Sequence, residues 1–135
     1  MANATSIYVN LPVKDLARSR RFWEALGFGF NEKFSDDRAL QLVLDEGKIY
    51  VMLLSRAFFQ TFTDRPVANG STTQTLIALE VESREQVDEL ISRALANGGS
   101  RYSEPKDHEW MYYDTFADPD GHQWEVLYAD ESKLS

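Results

Sequence analysis

The sequence contains no cysteine and only two histidines among its 135 residues. The absence of cysteine excludes disulfide bonds, a thiolate nucleophile, and zinc or iron–sulfur sites with cysteine ligands. No apolar run approaches the roughly 18 residues that a membrane-spanning helix needs. The first residues lack the basic and apolar regions of a signal peptide. We therefore expect a cytoplasmic protein that does not enter a membrane.

The charge of the chain is acidic and unevenly distributed. The formal net charge is −8, and residues 71–135 carry fourteen acidic but only five basic side chains. An acidic surface repels phosphate backbones, so we expect no nucleic-acid partner. Two interpretations of the acidic half stay open: it attracts a cationic small molecule, or it only keeps the protein in solution.

The hydrophobic pattern predicts the same series of elements twice. Alternating and continuous apolar stretches predict strands, and apolar residues three and four apart predict helices. Each series begins with a strand, continues with a helix capped by Asp15 or Ser83, and ends with three strands. The predicted strands are residues 6–13, 28–34, 40–44 and 49–54, then 75–81, 100–103, 110–116 and 123–128. We expect the strand at 49–54 to be buried on both faces because its apolar run is continuous.

This repetition predicts an α+β fold built from two tandem βαβββ modules. Residues 6–54 form the first module, 55–73 a linker and 74–130 the second, within one domain that spans residues 1–135. Equivalent turn residues support the alignment, since Gly27 corresponds to Gly98 and Gly47 to Gly121. Each module is too small to bury its own sheet face well, so we expect it to pair with the other module or with a second chain.

Two motifs resemble the vicinal oxygen chelate superfamily, which includes glyoxalase I, extradiol dioxygenases and bleomycin-resistance proteins. Residues 10–28, NLPVKDLARSRRFWEALGF, resemble the opening strand and helix of that family. Residues 116–125, FADPDGHQWE, resemble its closing hairpin. The resemblance covers nearly the whole chain. It implies a cupped, mostly antiparallel sheet with helices outside, a small-molecule pocket in the cup, and a homodimer.

Enzymes of this family hold a divalent metal with two side chains from each module. The resemblance implies that these positions fall on Tyr8 and Val51 in the first module, with a one-residue shift to Met52 as an alternative. In the second module they fall on Leu76 and Glu125. Only Glu125 is a metal-ligand type, because leucine and valine cannot ligate and tyrosine ionises only near pH 10. We therefore expect no cofactor.

The two histidines offer little towards a divalent metal site. His108 paired with Glu125 is a remaining candidate, and the alternative is that His108 is a plain loop residue. His122 and Glu125 are an odd number of residues apart on one strand, so they lie on opposite faces.

A pocket remains without the metal. The residues that we expect to line it are Tyr8, Asn10, Val51, Leu76, Ala78, Trp110, Tyr112 and Glu125. Glu125 is the candidate catalytic residue, as a general base that removes a proton next to a carbonyl. It is also a candidate hydrogen-bond anchor for a ligand, and the third alternative is that Tyr8 or Asn10 satisfies its carboxylate within the protein.

Two classes of function follow from these features. The first is a metal-free small-molecule binder, with bleomycin-resistance proteins as its model. The second is a glyoxalase-like lyase or isomerase, related to lactoylglutathione lyase, that acts on a small carbonyl compound through a divalent metal or Glu125. The loss of ligand types favours the binder, but nothing in the sequence names a ligand.

Overall fold

The computed structural model describes residues 2–134, so Met1 and Ser135, the outermost residues of the predicted domain, lie outside the described residues. The chain divides into two compact units, which meet in sequence between Val67 and Ala68. Each unit contains one four-stranded mixed sheet. None of the helices within residues 2–134 has the length and apolar character that crossing a membrane requires.

The elements of the first unit are β1 (Val9–Val13), α1 (Leu16–Ala25), β2 (Gly29–Phe30), β3 (Ala39–Asp45), β4 (Ile49–Ser55) and α2 (Arg56–Gln60). Its strands lie in the order β1-β4-β3-β2. β1 pairs in parallel with β4, and the other two pairs are antiparallel. Helix α1 packs against β2, β3 and β4, where it buries Phe22 and Trp23. The short helix α2 contacts β1 and β4.

The second unit repeats this plan with β5 (Leu76–Glu80), α3 (Arg84–Ala96), β6 (Lys106–Asp107), β7 (Met111–Ala117) and β8 (Gln123–Ala129). Its strand order is β5-β8-β7-β6. β5 pairs in parallel with β8, and the other pairs are antiparallel. Helix α3 packs against β7 and β8 and buries Val87, Ile91 and Ala94. We call the side of each sheet under α1 or α3 its helix face, and the other side its opposite face.

The turns repeat together with the sheets. Gly27 and Gly98 follow the two long helices with φ angles of 101° and 102°. Gly47 and Gly121 lie in the last hairpin of each unit with φ angles of 77° and 83°. A side chain would be strained at these positive φ values, so the same turn geometry requires glycine in both units.

The closing hairpin of the second unit is held by a buried carboxylate. Asp118 accepts hydrogen bonds from the backbone N–H groups of Asp120 and His122 and from Trp124 Nε1, each at 3.0 Å. Burial raises the pKa of Asp118. Three donors on one side chain fix the DPDG turn and hold the Trp124 indole in the core.

Three predicted strands differ from the observed ones. The strand predicted for residues 28–34 ends at Phe30, because the Asn31 side chain accepts from the Lys33 N–H and caps a short 3₁₀ helix. Residues 100–103 make only one bridge, at Ser100, since the Ser103 N–H bonds the Thr115 hydroxyl instead of a backbone carbonyl. The strand at 49–54 is not buried on both faces: Val51 and Leu53 are buried, whereas Met52 is partly exposed.

An ion pair between the exposed Arg101 and the buried Asp114 joins the loop after α3 to β7. Asp114 is 2% exposed and accepts two hydrogen bonds from Arg101, at 3.0 Å from Nε and 2.6 Å from Nη2. It also accepts from the Thr115 N–H at 2.7 Å. Charge-assisted, bidentate bonds of this kind are stronger than neutral ones.

We predict that Asp114→Ala lowers the free energy of unfolding by about 2 kcal/mol, because the variant removes three hydrogen bonds to a buried carboxylate. Urea unfolding followed by circular dichroism measures the change. The matched control is Asp107→Ala, which removes the Arg84–Asp107 pair, whose carboxylate side chain is 65% exposed. We expect the control to cost about 0.5 kcal/mol or less. Equal losses in the two variants would contradict the role assigned to Asp114.

Candidate functional site

The parallel strand pairs define equivalent positions in the two units. Asn10 of β1 lies beside Met52 of β4, and Ala78 of β5 lies beside Glu125 of β8. In the next strand Gln41 lies beside Met52, and Thr115 lies beside Glu125. Met52 is therefore the structural counterpart of Glu125.

The sequence repeat makes Val51 the equivalent of Glu125, but the Val51 side chain lies on the helix face of its sheet. It is 3% exposed and pairs with Leu42, a core residue that is fully buried. Side chains alternate between faces along a strand, so a shift of one residue exchanges the two faces. The one-residue alternative, Met52, is the residue that lies on the opposite face.

A cavity of about 710 Å³ lies on the opposite face of the first unit. This volume falls within the range of about 300–1,000 Å³ that is typical of small-molecule sites. Its floor consists of alternate residues of β3 and β4, namely Ala39, Gln41, Tyr50, Met52 and Leu54. Tyr8 and Asn10, both expected from the sequence to line a pocket, also line this cavity.

Aromatic side chains form much of the cavity wall. Phe58, in the middle of α2, and Phe62, just beyond the helix, contact each other edge to face with ring centres 5.0 Å apart. Phe34 lies on the wall and is 58% exposed. The Arg38 guanidinium stacks on the Phe58 ring at 4.6 Å. The spacing of Phe58 and Phe62 on one helical turn is the signal in the sequence that points to this wall.

A hydrogen-bond network fixes the amides of the cavity. The Asn31 Nδ2 group donates to Gln41 Oε1 at 2.9 Å, and Asn31 Oδ1 accepts from the Lys33 N–H at 3.2 Å. The Ser35 hydroxyl donates to the Asn31 carbonyl at 2.8 Å and accepts from the Gln41 N–H at 3.1 Å. The sequence analysis missed Asn31 and Gln41, although a single glutamine within an apolar strand is a detectable signal.

The described lining of the cavity carries no charge, although Arg38 and Lys33 lie against the rings of Phe58 and Phe34. None of the described residues that line it is acidic or basic. The acidic residues of the second half of the chain are not part of this lining. A cationic ligand therefore forms no ion pair with the residues that line the cavity.

In the second unit, Glu125 lies on the opposite face, half-buried between Ala78 and Thr115. Its carboxylate makes no hydrogen bond or ion pair within residues 2–134. Its neighbour Tyr102 donates a hydrogen bond from its hydroxyl to the Trp124 carbonyl at 3.3 Å. Burial, with smaller effects from Glu125 and Tyr113, raises the pKa of Tyr102 to about 12.

Tyr112, which the sequence analysis places in the pocket, lies on the helix face. Its hydroxyl donates to Asp88 of α3, and the Arg84 guanidinium stacks on its ring at 5.2 Å. The hydrogen bond to Asp88 is the main reason why the pKa of Tyr112 is raised to about 12. Tyr113, one residue further along β7, lies instead beside Leu127 on the opposite face.

The remaining predicted residues belong to the second unit. Leu76 and Ala78 are exposed residues of β5, at alternate positions that share the opposite face with Glu125. Trp110 precedes β7, and its carbonyl accepts from the Asp130 N–H at 2.7 Å. His108 is exposed; its N–H bonds the Met111 carbonyl, and its own carbonyl accepts from Arg84.

The donor set does not fit a divalent metal. The positions that the family resemblance assigns to ligands hold Tyr8, Met52, Leu76 and Glu125, which together supply one carboxylate and no imidazole. Oxygen and imidazole donors in a cluster are what such ions require. Within residues 2–134 no group of three or more histidine, aspartate or glutamate side chains is arranged to hold a metal ion.

The family assignment follows from comparison with known proteins. Residues 6–126 match the family model described as Glyoxalase/Bleomycin resistance protein/Dioxygenase superfamily. The chain therefore belongs to this superfamily, as the two motifs predict. No protein with a curated description matches the sequence.

Solved structures share the fold over almost the whole chain. The hypothetical protein SA1046 from S. aureus is 29% identical, with a TM-score of 0.80 over 95% of this chain and 96% of that one. The antibiotic binding protein TnmS3 from Streptomyces sp. CB03234 is 22% identical, with a TM-score of 0.67 over 96% and 99% of the two chains. The bleomycin resistance determinant encoded on the transposon Tn5 is 19% identical, with a TM-score of 0.63 over 93% and 98%. These similarities confirm the predicted α+β, glyoxalase-like fold.

The raised pKa values of Tyr102 and Tyr112 predict a loss of stability at alkaline pH. An unfolded tyrosine ionises near pH 10, so both side chains contribute stability below about pH 10 that is lost as the pH rises through about 12. We expect the urea midpoint of the wild type to fall between about pH 9 and about pH 11. The fall is smaller in the double variant Tyr102→Phe/Tyr112→Phe. An equal fall in both proteins would contradict the assignment.

Proposed function

We propose that this protein is a small-molecule-binding member of its superfamily that works without a metal. The observation that carries the proposal is the neutral, aromatic-walled cavity of about 710 Å³ in the first unit. A concave apolar site with a few fixed polar groups is the usual form of a ligand pocket. TnmS3, an antibiotic binding protein, has a similar fold, which supports the proposal.

The absence of a ligand set supports the metal-free part of the proposal. Met52, the counterpart of Glu125, offers only a thioether, a soft donor that does not suit hard divalent ions such as manganese. Its side chain adds apolar surface to the cavity floor instead. Asn10, the counterpart of Ala78, offers an amide that a bound molecule can use as donor and acceptor.

Nile red, a neutral dye whose emission shifts in apolar surroundings, tests the cavity directly. We expect saturable binding to the purified protein that is unchanged after dialysis against EDTA. Met52→Trp fills the cavity and should weaken binding at least about tenfold, since the dye loses its apolar contacts. Binding that disappears with EDTA and returns with zinc or manganese would contradict the metal-free proposal.

The matched control for this experiment is Ile49→Trp. Ile49 belongs to the same strand, is 50% exposed and is not among the residues that line the cavity. The control adds the same indole to β4 outside the site, so we expect wild-type affinity for Nile red. Equal weakening in both variants would show that the dye binds elsewhere.

Catalysis by Glu125 is the second candidate function. Its support is a half-buried carboxylate without a hydrogen bond inside residues 2–134, on the face of the sheet opposite α3. Such a group is free to remove a proton from a bound carbonyl compound. Conversion of the glutathione hemithioacetal of methylglyoxal, compared between wild type and Glu125→Gln, tests this alternative. If the wild type does not convert this compound, glyoxalase-like catalysis by Glu125 is excluded.

Self-association is also part of the proposal, while a cytoplasmic location stays a prediction from the sequence. Ile7 and Tyr8 precede β1 and are 83% and 68% exposed, which is unusual for adjacent large apolar side chains. We expect light scattering to give the mass of a dimer, and Ile7→Glu to shift the mass towards that of one chain. A monomeric wild type would contradict this part of the proposal.

A further inference from the structure

The amide network of the first-unit cavity determines which polar group faces a ligand. The Lys33 N–H can only donate, so the atom of the Asn31 side chain that it contacts at 3.2 Å must be the oxygen. The other atom of that amide, Nδ2, is then a donor. Its partner on Gln41, 2.9 Å away, must be the oxygen Oε1.

Gln41 Nε2 is left as the group that a ligand meets. Within residues 2–134 this amino group makes no hydrogen bond. The Nε2 atom is not sealed from solvent, so a ligand can reach it, although Gln41 as a whole is only 9% exposed. Gln41 lies beside Met52 on the cavity floor. The cavity therefore presents a hydrogen-bond donor at the bottom of an apolar, aromatic-walled space.

Backbone contacts make this orientation rigid. The Asn31 N–H donates to the Gln41 carbonyl at 3.0 Å, and the Ser35 hydroxyl connects the Asn31 carbonyl to the Gln41 N–H. A donor that is already oriented loses little freedom when it binds, so it discriminates between ligands more strongly than a mobile group does.

We propose that the cavity selects neutral aromatic molecules that place a hydrogen-bond acceptor, such as a carbonyl oxygen, against Gln41 Nε2. This inference rests on the proposed binding function and names its ligand class. Neutrality follows because no described lining residue is charged. Aromatic character follows from Phe34, Phe58 and Phe62, whose rings offer edge and face contacts. The acceptor follows from the donor that the network leaves on Gln41, because a ligand that covers this donor without accepting from it leaves it buried and unpaired.

Three tricyclic compounds of nearly the same shape test the selection by equilibrium dialysis. Fluorenone carries an acceptor, carbazole carries an N–H donor, and fluorene carries neither. The wild type should bind fluorenone about tenfold more tightly than fluorene, and more tightly than carbazole.

Two variants invert the selection through different residues. Gln41→Glu keeps an oxygen for Asn31 Nδ2 and turns the other side-chain atom into an acceptor, so carbazole should become the preferred ligand. Asn31→Asp keeps the bond to the Lys33 N–H but removes the donor to Gln41. The Gln41 amide then rotates, donates to the new carboxylate and presents Oε1 to the cavity. Both variants should reverse the order of fluorenone and carbazole. The second does so with Gln41 unchanged.

Controls separate the amide effect from charge and folding. Gln74→Glu makes the same charge change at an exposed residue outside the cavity lining and should keep the wild-type order. Gln41→Met removes the donor without adding charge and should bind fluorenone and fluorene equally. Circular dichroism tests whether each variant is folded. If Gln41→Glu does not fold, the Asn31→Asp variant decides the test.

The outcomes distinguish this inference from the proposed function. Equal affinities of the wild type for all three tricyclics would overturn the inference and leave the binding function in place. No binding of any of the three would overturn both. An unchanged order of affinities in the folded Asn31→Asp variant would also overturn the inference, because the network would then not set the orientation of Gln41.

Discussion

The parallel pairing of the first and last strands of each unit is the constraint on which the rest of the structure depends. β1 lies beside β4 and β5 beside β8, with the register Asn10–Met52 and Ala78–Glu125. A parallel pair needs a long crossover, and α1 and α3 lie within the segments that provide it. The helix covers one face of each sheet, and the alternation of side chains then assigns every strand residue to the core or to the opposite face.

The two units keep this frame but fill it differently. The turns need glycine at equivalent positions, and both long helices begin at a capping side chain, Asp15 or Ser83. Their opposite faces diverge. The first presents Asn10, Met52 and Gln41, whereas the second presents Ala78, Glu125 and Thr115 at the same positions. The same strand arrangement therefore presents neutral amides on the opposite face of the first unit and a carboxylate on the opposite face of the second.

Net charge is a poor guide to the site in this protein. The chain carries a formal charge of −8, yet the lining of the first-unit cavity contains no charged residue within the part of the chain that the structure describes. Several acidic side chains serve the fold instead: Asp114 holds Arg101, and Asp118 holds the closing turn and Trp124. Carboxylates engaged in this way do not attract a cationic ligand. The chemistry of the cavity depends on fixed amides, whose direction is set by neighbouring backbone groups.

The sequence by itself determined the family, the repeated βαβββ order and the residue types at the ligand positions, because periodicity, caps and turn glycines are local signals. It also indicated Tyr8, Asn10 and the face of β8 that carries Glu125. Only the tertiary structure decided that Met52, and not Val51, corresponds to Glu125, since strand register depends on pairing between distant segments. It alone placed Tyr112 against α3 and joined Asn31 to Gln41. The hydrogen bond that orients a side chain depends on neighbours that folding brings together.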